Sequence, residues 1–166
     1  MIHIIGTAHE RTQYWSDAIR RGESIDTNSE IVQQFELYLR EAVDSLAATA
    51  IAEELSQQCF KEREGGSSVC KKVADDLGLH HLFCDPDHDE RRKLNITTTD
   101  QRESVWASRV TTLAPNETSV IFVCGADHCS TFLAKLEQRG LRARIHCDDW
   151  TSRLSYAHHL VITAPA

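Results

Sequence analysis

The sequence predicts an α/β protein of three layers, with a mostly parallel sheet of five or six strands and helices on both faces. Two observations carry this. Short apolar runs alternate with longer segments of helical period, the pattern of crossover units feeding a parallel sheet. The apolar runs are followed by glycines, histidines or carboxylates, and right-handed crossovers place all such exits on one edge. With 166 residues, the chain is long enough for a single domain, 1–166, with one substantial core.

The first strand is Ile2-His3-Ile4-Ile5, running into Gly6-Thr7-Ala8-His9-Glu10. Residues 9–26 are polar, contain Tyr14 and Trp15 and lack a clean period; they read as a loop over the exit edge, either a lid or a partner surface. From Asn28 or Ser29 a capped helix runs to about Leu46, with Ile31, Phe35, Tyr38 and Ala42 on one face. Ala47 to Ala52 reads as a second strand ending in Glu53-Glu54, with helix continuation as the competing reading. Residues 57–68 read as a polar break around Gly65-Gly66. Ser67 or Ser68 then caps a helix carrying Val69, Val73 and Leu77, stopped by Gly78.

Leu79 to Cys84 is the third strand, and Asp85 to Arg92 is the most charged turn, its exit set by Pro86. Thr98 or Thr99 opens a helix with Trp106, Val110 and Leu113 on one face, ending before Pro115. Ser119 to Cys124 is the central strand, leaving through Gly125-Ala126-Asp127-His128 into a helix from Ser130 that closes at Gly140. Ala143 to Cys147 is the fifth strand, ending at Asp148-Asp149-Trp150, and Leu160-Val161-Ile162 suits an edge strand.

Hydrophobic residues make up 41% and charged residues 26%, an ordinary globular balance. A net charge of −7 argues against broad nucleic-acid binding, although basic clusters stand at Arg91-Arg92-Lys93 and at Arg139, Arg142 and Arg144. No apolar run approaches the length of roughly 18 residues that a membrane span requires, and no basic n-region with an apolar core and cleavage site is read at the start, so no signal sequence is expected. The expected location is cytoplasmic. Six cysteines without a Cys-x-x-Cys pair are expected to be mostly reduced packing thiols.

Pooled at one edge, the strand exits offer two histidines and several carboxylates. Gly6-x-x-His9 and Gly125-x-x-His128 are near copies, each following an apolar strand. Imidazoles and carboxylates of this kind can hold zinc, manganese or a similar divalent ion with a water position left open. His9, His128 and Asp85 are the candidate metal ligands. His9, Glu10, Glu53, Glu54 and His128 are the candidate catalytic residues. Glu53 and Glu54 point to opposite faces of a strand end, so at most one enters the site. Gly6 and Gly125 allow close approach of backbone to a ligand. With Thr7, and with Arg91 as a fork for an anionic group, they form the expected substrate-binding set. Plainer roles are open to several residues: Asp127 reads best as a helix cap, His80 and His81 as packing or solvent residues, and His158-His159 as surface.

Ile4-Ile5-Gly6-Thr7-Ala8-His9, together with Val123-Cys124-Gly125-Ala126-Asp127-His128, resembles the TIKI/TraB superfamily, which includes ChaN-like and erythromycin-esterase-like proteins. The resemblance implies an α/β scaffold with paired Gly-x-x-His motifs and an acidic residue after the second strand, here Glu53 or Glu54. For different branches it implies a metal-dependent peptidase, an esterase using histidine and glutamate, or haem or iron handling. This chain is compact for that group, and its Asp85 to Arg92 segment has no clear counterpart there.

The expected function is a small metal-dependent hydrolase acting on ester, peptide or related bonds of a small-molecule or peptide substrate, with no membrane partner and room for a homodimer. The alternative is a non-catalytic metal-, haem- or small-ligand-binding module on the same scaffold. A third reading is an interaction domain whose site has decayed.

Overall fold

A computed structural model of the chain describes residues 1–8, 30–62, 68–113 and 119–151. Within them, strands Ile2–Thr7 (β1), Ala50–Glu53 (β2), His80–Phe83 (β3), Val120–Gly125 (β4) and Ala143–Cys147 (β5) form one sheet in the order β3-β2-β4-β1-β5. Every pairing is parallel. The helices are Glu30–Leu46 (α1), Gln57–Glu62 (α2), Val69–Leu77 (α3), His88–Lys93 (α4), Thr99–Leu113 (α5) and Cys129–Gln138 (α6). None of the described helices is long and apolar enough to cross a membrane.

The two-residue period of the strands sorts the core into two layers. Ile5, Ile51, Ile121 and Val123 face Val32, Phe35 and Leu39 of α1 and Val69 and Val73 of α3. Ile4, Ala52 and Phe122 face Trp106 and Val110 of α5 and Phe132 and Leu136 of α6. Burial of each large side chain in these layers contributes roughly 1.5–3 kcal/mol. Sheet and helices on both faces therefore make the expected three-layer α/β fold.

Local chemistry sets most boundaries. Ser68 caps α3, its hydroxyl accepting from the Lys71 amide at 3.2 Å, and Gly78 closes that helix at φ +67°. Three segments differ from the sequence reading. β2 starts at Ala50 rather than Ala47, because Ala47 takes φ +46° as α1 ends and the chain must turn before it can pair. The polar stretch after β2 contains α2, started by Ser56, whose hydroxyl accepts from the Cys59 amide at 3.0 Å. The charged turn after β3 contains α4: Asp87 and Glu90 form a capping box, which makes a helix start of an acidic run. Tyr14, Trp15, His158, His159 and the Leu160–Ile162 strand lie outside the described residues.

The sheet order places the site. The chain leaves β1 for β2 by way of α1 on one face, and leaves β4 for β5 by way of α6 on the other. Neighbouring parallel strands whose connections depart to opposite faces open a crevice at their carboxyl ends, the usual ligand position in such sheets. Thr7 of β1 and Gly125 of β4 are in register at that crevice.

Candidate functional site

His128 stands at the end of the 3-10 turn Ala126–His128, which links β4 to α6. Its Nδ1 lies 2.9 Å from Glu103 Oε1, and its Nε2 lies 3.6 Å from Glu54 Oε1. Both carboxylates are almost completely buried, Glu54 at 2% exposed and Glu103 at 2%. Trp106 meets the imidazole edge-on, with ring centroids 5.1 Å apart. Glu103 Oε1 also accepts from the Thr131 hydroxyl at 2.7 Å. An ionised carboxylate can only accept, so opposite an ionised Glu103 the His128 Nδ1 is the donor of this contact.

Glu54 is held from two sides. Arg102 Nη2 donates to its Oε1 at 2.9 Å, and the buried Gly125 amide donates to its Oε2 at 3.0 Å. Arg102 also donates through Nε to Asp85 Oδ1 at 3.0 Å, where the Trp106 indole N–H joins it at 2.9 Å. Burial works against the guanidinium charge, but the hydrogen bonds and charges of Asp85 and Glu54 outweigh it and raise the Arg102 pKa. A fixed cation thus ties the two carboxylates together, with its Cζ 5.2 Å from the Trp106 ring centroid.

The sequence-derived candidates divide clearly. Glu54, His128 and Gly125 meet at one place. Glu53 points to the other face of the sheet, as the strand period requires. There its carboxylate accepts from Ser68 Oγ at 2.5 Å and lies 2.8 Å from His81 Nε2. His81 is therefore a partner of a buried carboxylate rather than a plain packing residue. Asp85 is 1% exposed, with Oδ1 bonded to Arg102 and Trp106 and Oδ2 to Arg91. Arg91 also donates to the Pro86 carbonyl at 3.0 Å, so its fork braces the turn after β3.

Thr7 is buried at the end of β1. Gly6 is required for packing against the protein's own atoms. A β-carbon there would overlap the Asp148 carbonyl oxygen and come within 2.6 Å of Cys129 Sγ. Gly125 takes φ −60°, open to any residue, and its contribution is the amide on Glu54. Asp127 does not cap the following helix: it is exposed, and neither the 3-10 turn nor α6 has a side-chain cap. His9 and Glu10 lie outside the described residues. β1 ends at Thr7, paired with Gly125 at the end of β4, so Gly6 and Gly125 stand at one crevice.

No family model, curated protein or solved structure matches the chain.

Among the described residues no group of three or more His, Cys, Asp or Glu side chains is arranged to hold a metal ion. The Asp85 and Glu54 carboxylates instead serve guanidinium and amide donors, so the described donor set does not fit a divalent ion. Two residues of the site escaped sequence reading, Glu103 and Arg102. Glu103, Trp106, Ala107 and Val110 form the buried face of α5. A carboxylate at the first position of an i, i+3, i+4, i+7 stripe is the signal that would have found it.

Proposed function

We propose that the chain is a hydrolase of the TIKI/TraB type, in which His128 accepts the proton of an attacking water. The observation that supports it is the line Glu103–His128–Glu54, with 2.9 Å at Nδ1 and 3.6 Å at Nε2. Glu103 holds the tautomer whose Nε2 is basic, the part a carboxylate plays beside a catalytic imidazole. When Nε2 takes a proton, the positive charge is faced by Glu103 on one side and Glu54 on the other. The same imidazolium can then return its proton to the leaving group of an ester, amide or related bond. Arg102 and the Gly125 amide keep Glu54 in place through this cycle.

In the metal-dependent alternative, zinc or manganese would be held by His9 and His128, and His128 would then serve as a ligand in place of proton acceptor. Six free thiols suit a reducing compartment, and we place the protein in the cytoplasm. The test is turnover of ester, peptide and phosphodiester panels by wild type, His128→Ala and Glu54→Gln, with metal content measured beside it for wild type and His9→Ala. The expected result is turnover that falls by about 10²–10⁴ in His128→Ala. Turnover untouched by His128→Ala refutes the reading. Ligand retention without turnover would favour the binding module.

A further inference from the structure

β5 runs along one edge of the described sheet, and its two faces differ in chemistry. Leu141, Ala143 and Ile145 pack against the layer of α5 and α6. The two-residue period turns Arg144 and His146 to the α1 side, with Arg142 just ahead of the strand. His3 of β1 is in register with Arg144 on one side and with Ile121 on the other, so it lies on the same face. The register slips by one residue between Ile4 and Ile5, which leaves His146 as the extra residue of a bulge. The His146 ring meets His3 edge-on, centroids 6.4 Å apart, and lies beside Tyr38 of α1 at 6.5 Å.

Arg144 Nε donates to His3 Nδ1 at 3.1 Å. A guanidinium has no lone pair to offer, so Nδ1 is the acceptor and the His3 proton is on Nε2. Burial, then the Arg144 charge, lowers the His3 pKa to about 4, which keeps the ring neutral in this role. His3 is 5% exposed, yet its Nε2–H has no acceptor among the described residues. The bond to His3 fixes the guanidinium through Nε and leaves its two terminal nitrogens unbonded. Arg40, Arg91, Arg92, Arg102 and Arg109 each meet a carboxylate. Arg142 and Arg144 meet none among the described residues, in a chain whose net charge is −7. Two exposed guanidiniums and one buried, unmet N–H thus stand together with no described acid to neutralise them.

We propose that Arg142 and Arg144, with the unmet N–H of His3, form a binding site for a phosphoryl dianion, either free phosphate or a phosphate monoester. The site lies toward the amino end of β1, away from the crevice at Thr7, and does not rest on the hydrolase reading. The terminal nitrogens of Arg144 present the planar pair of donors that grips two phosphate oxygens. His3 is a positioning residue there: its Nδ1 sets the plane of that fork, and its Nε2–H meets a further ligand oxygen. Arg142 supplies a second positive charge, which favours a dianion over a carboxylate.

The test titrates inorganic phosphate, phenyl phosphate and acetate into the full chain at constant ionic strength, by calorimetry and by NMR of the histidine ring nitrogens. At least one phosphoryl compound should bind saturably and more tightly than acetate. The Nε2 signal of His3, assigned by its loss in His3→Gln, should shift along the same isotherm. Arg144→Gln should weaken binding by about ten-fold or more, with the circular dichroism spectrum unchanged because Arg144 is exposed. Tighter binding of phenyl phosphate than of phosphate assigns the site to a monoester, and the reverse order assigns it to the free ion. Acetate binding as tightly as phosphate, saturable binding that leaves His3 unmoved, or wild-type affinity in Arg144→Gln each overturns the proposal. So does the absence of saturable binding, which would leave the two arginines as charges that keep a sheet edge from pairing with another chain. The His3 signal of the wild-type protein decides the matter even if a variant misfolds.

Discussion

His128 Nδ1 and Glu103 Oε1 are 2.9 Å apart, joining the turn after β4 to the buried face of α5. Glu103→Gln keeps an acceptor for the Thr131 hydroxyl but removes the charge beside the imidazole. In the proposed reaction, kcat should fall by about 10–100-fold with KM little changed. Steady-state kinetics on the substrate found with wild type checks this, and an equal loss in KM alone would assign Glu103 to substrate binding.

Arg102 is the only residue that bonds both Glu54 and Asp85 among the interactions described for these two carboxylates. Arg102→Met removes the cation shared by two buried carboxylates, leaving Asp85 to Arg91 and Trp106 and Glu54 to the Gly125 amide, and should cost about 3–5 kcal/mol in urea denaturation. Arg102→Lys should recover only part of that, because an ammonium cannot present the guanidinium fork to two partners at once. Full recovery by lysine would show that charge alone, without the fork, holds the pair.

Gly6→Ala places a methyl group against the Asp148 carbonyl oxygen and Cys129 Sγ. The backbone after β5 must shift, at about 1–3 kcal/mol. Adding Cys129→Ala should restore little of it, since the carbonyl remains. A double variant as stable as wild type would assign the whole strain to the sulfur.

His3, on β1 beside Arg144 of β5, has its pKa lowered to about 4 by burial first, then by Arg144 and His146. In the unfolded chain the imidazole titrates near 6.5 (roughly the unperturbed value). Between these values the unfolded state binds more protons, so stability is full above the unfolded pKa and declines as pH falls towards 4. The loss should be on the order of 1–2 kcal/mol once solvent screening is allowed for. Thermal melts across that window should fall less steeply for His3→Gln than for wild type, and parallel curves would remove His3 from the acid response.

Much of this was legible in the residues. Short apolar runs between amphipathic segments identified the five described strands, and Ser68 and Gly78 bounded α3 through cap chemistry that is local in sequence. The two Gly-x-x-His turns pointed to the crevice between β1 and β4. What stayed hidden depends on tertiary contact. Glu53 and Glu54 are adjacent and chemically identical, and only the helices packed on each face decide that one meets Ser68 and His81 and the other His128. Arg102 and Glu103 look like ordinary surface residues of a charged helix until α5 docks and buries Glu103. Arg91 carries the chemistry of an anion fork, but a nearer carboxylate, Asp85, takes it.

The position of β4 has a consequence for how the chain reaches this state. It is the fourth of the described strands to be synthesised, yet it lies between β2 and β1. Until residue 125 has emerged, β1 has neither of its neighbours, and only β2 and β3 can pair. Nascent chains cut before Ser119 should therefore hold an exposed β1 and be bound by holdase chaperones, whereas chains reaching Gly140 should resist protease. The long-range pairing of Ile2 with Val120 makes final assembly a late, slow step.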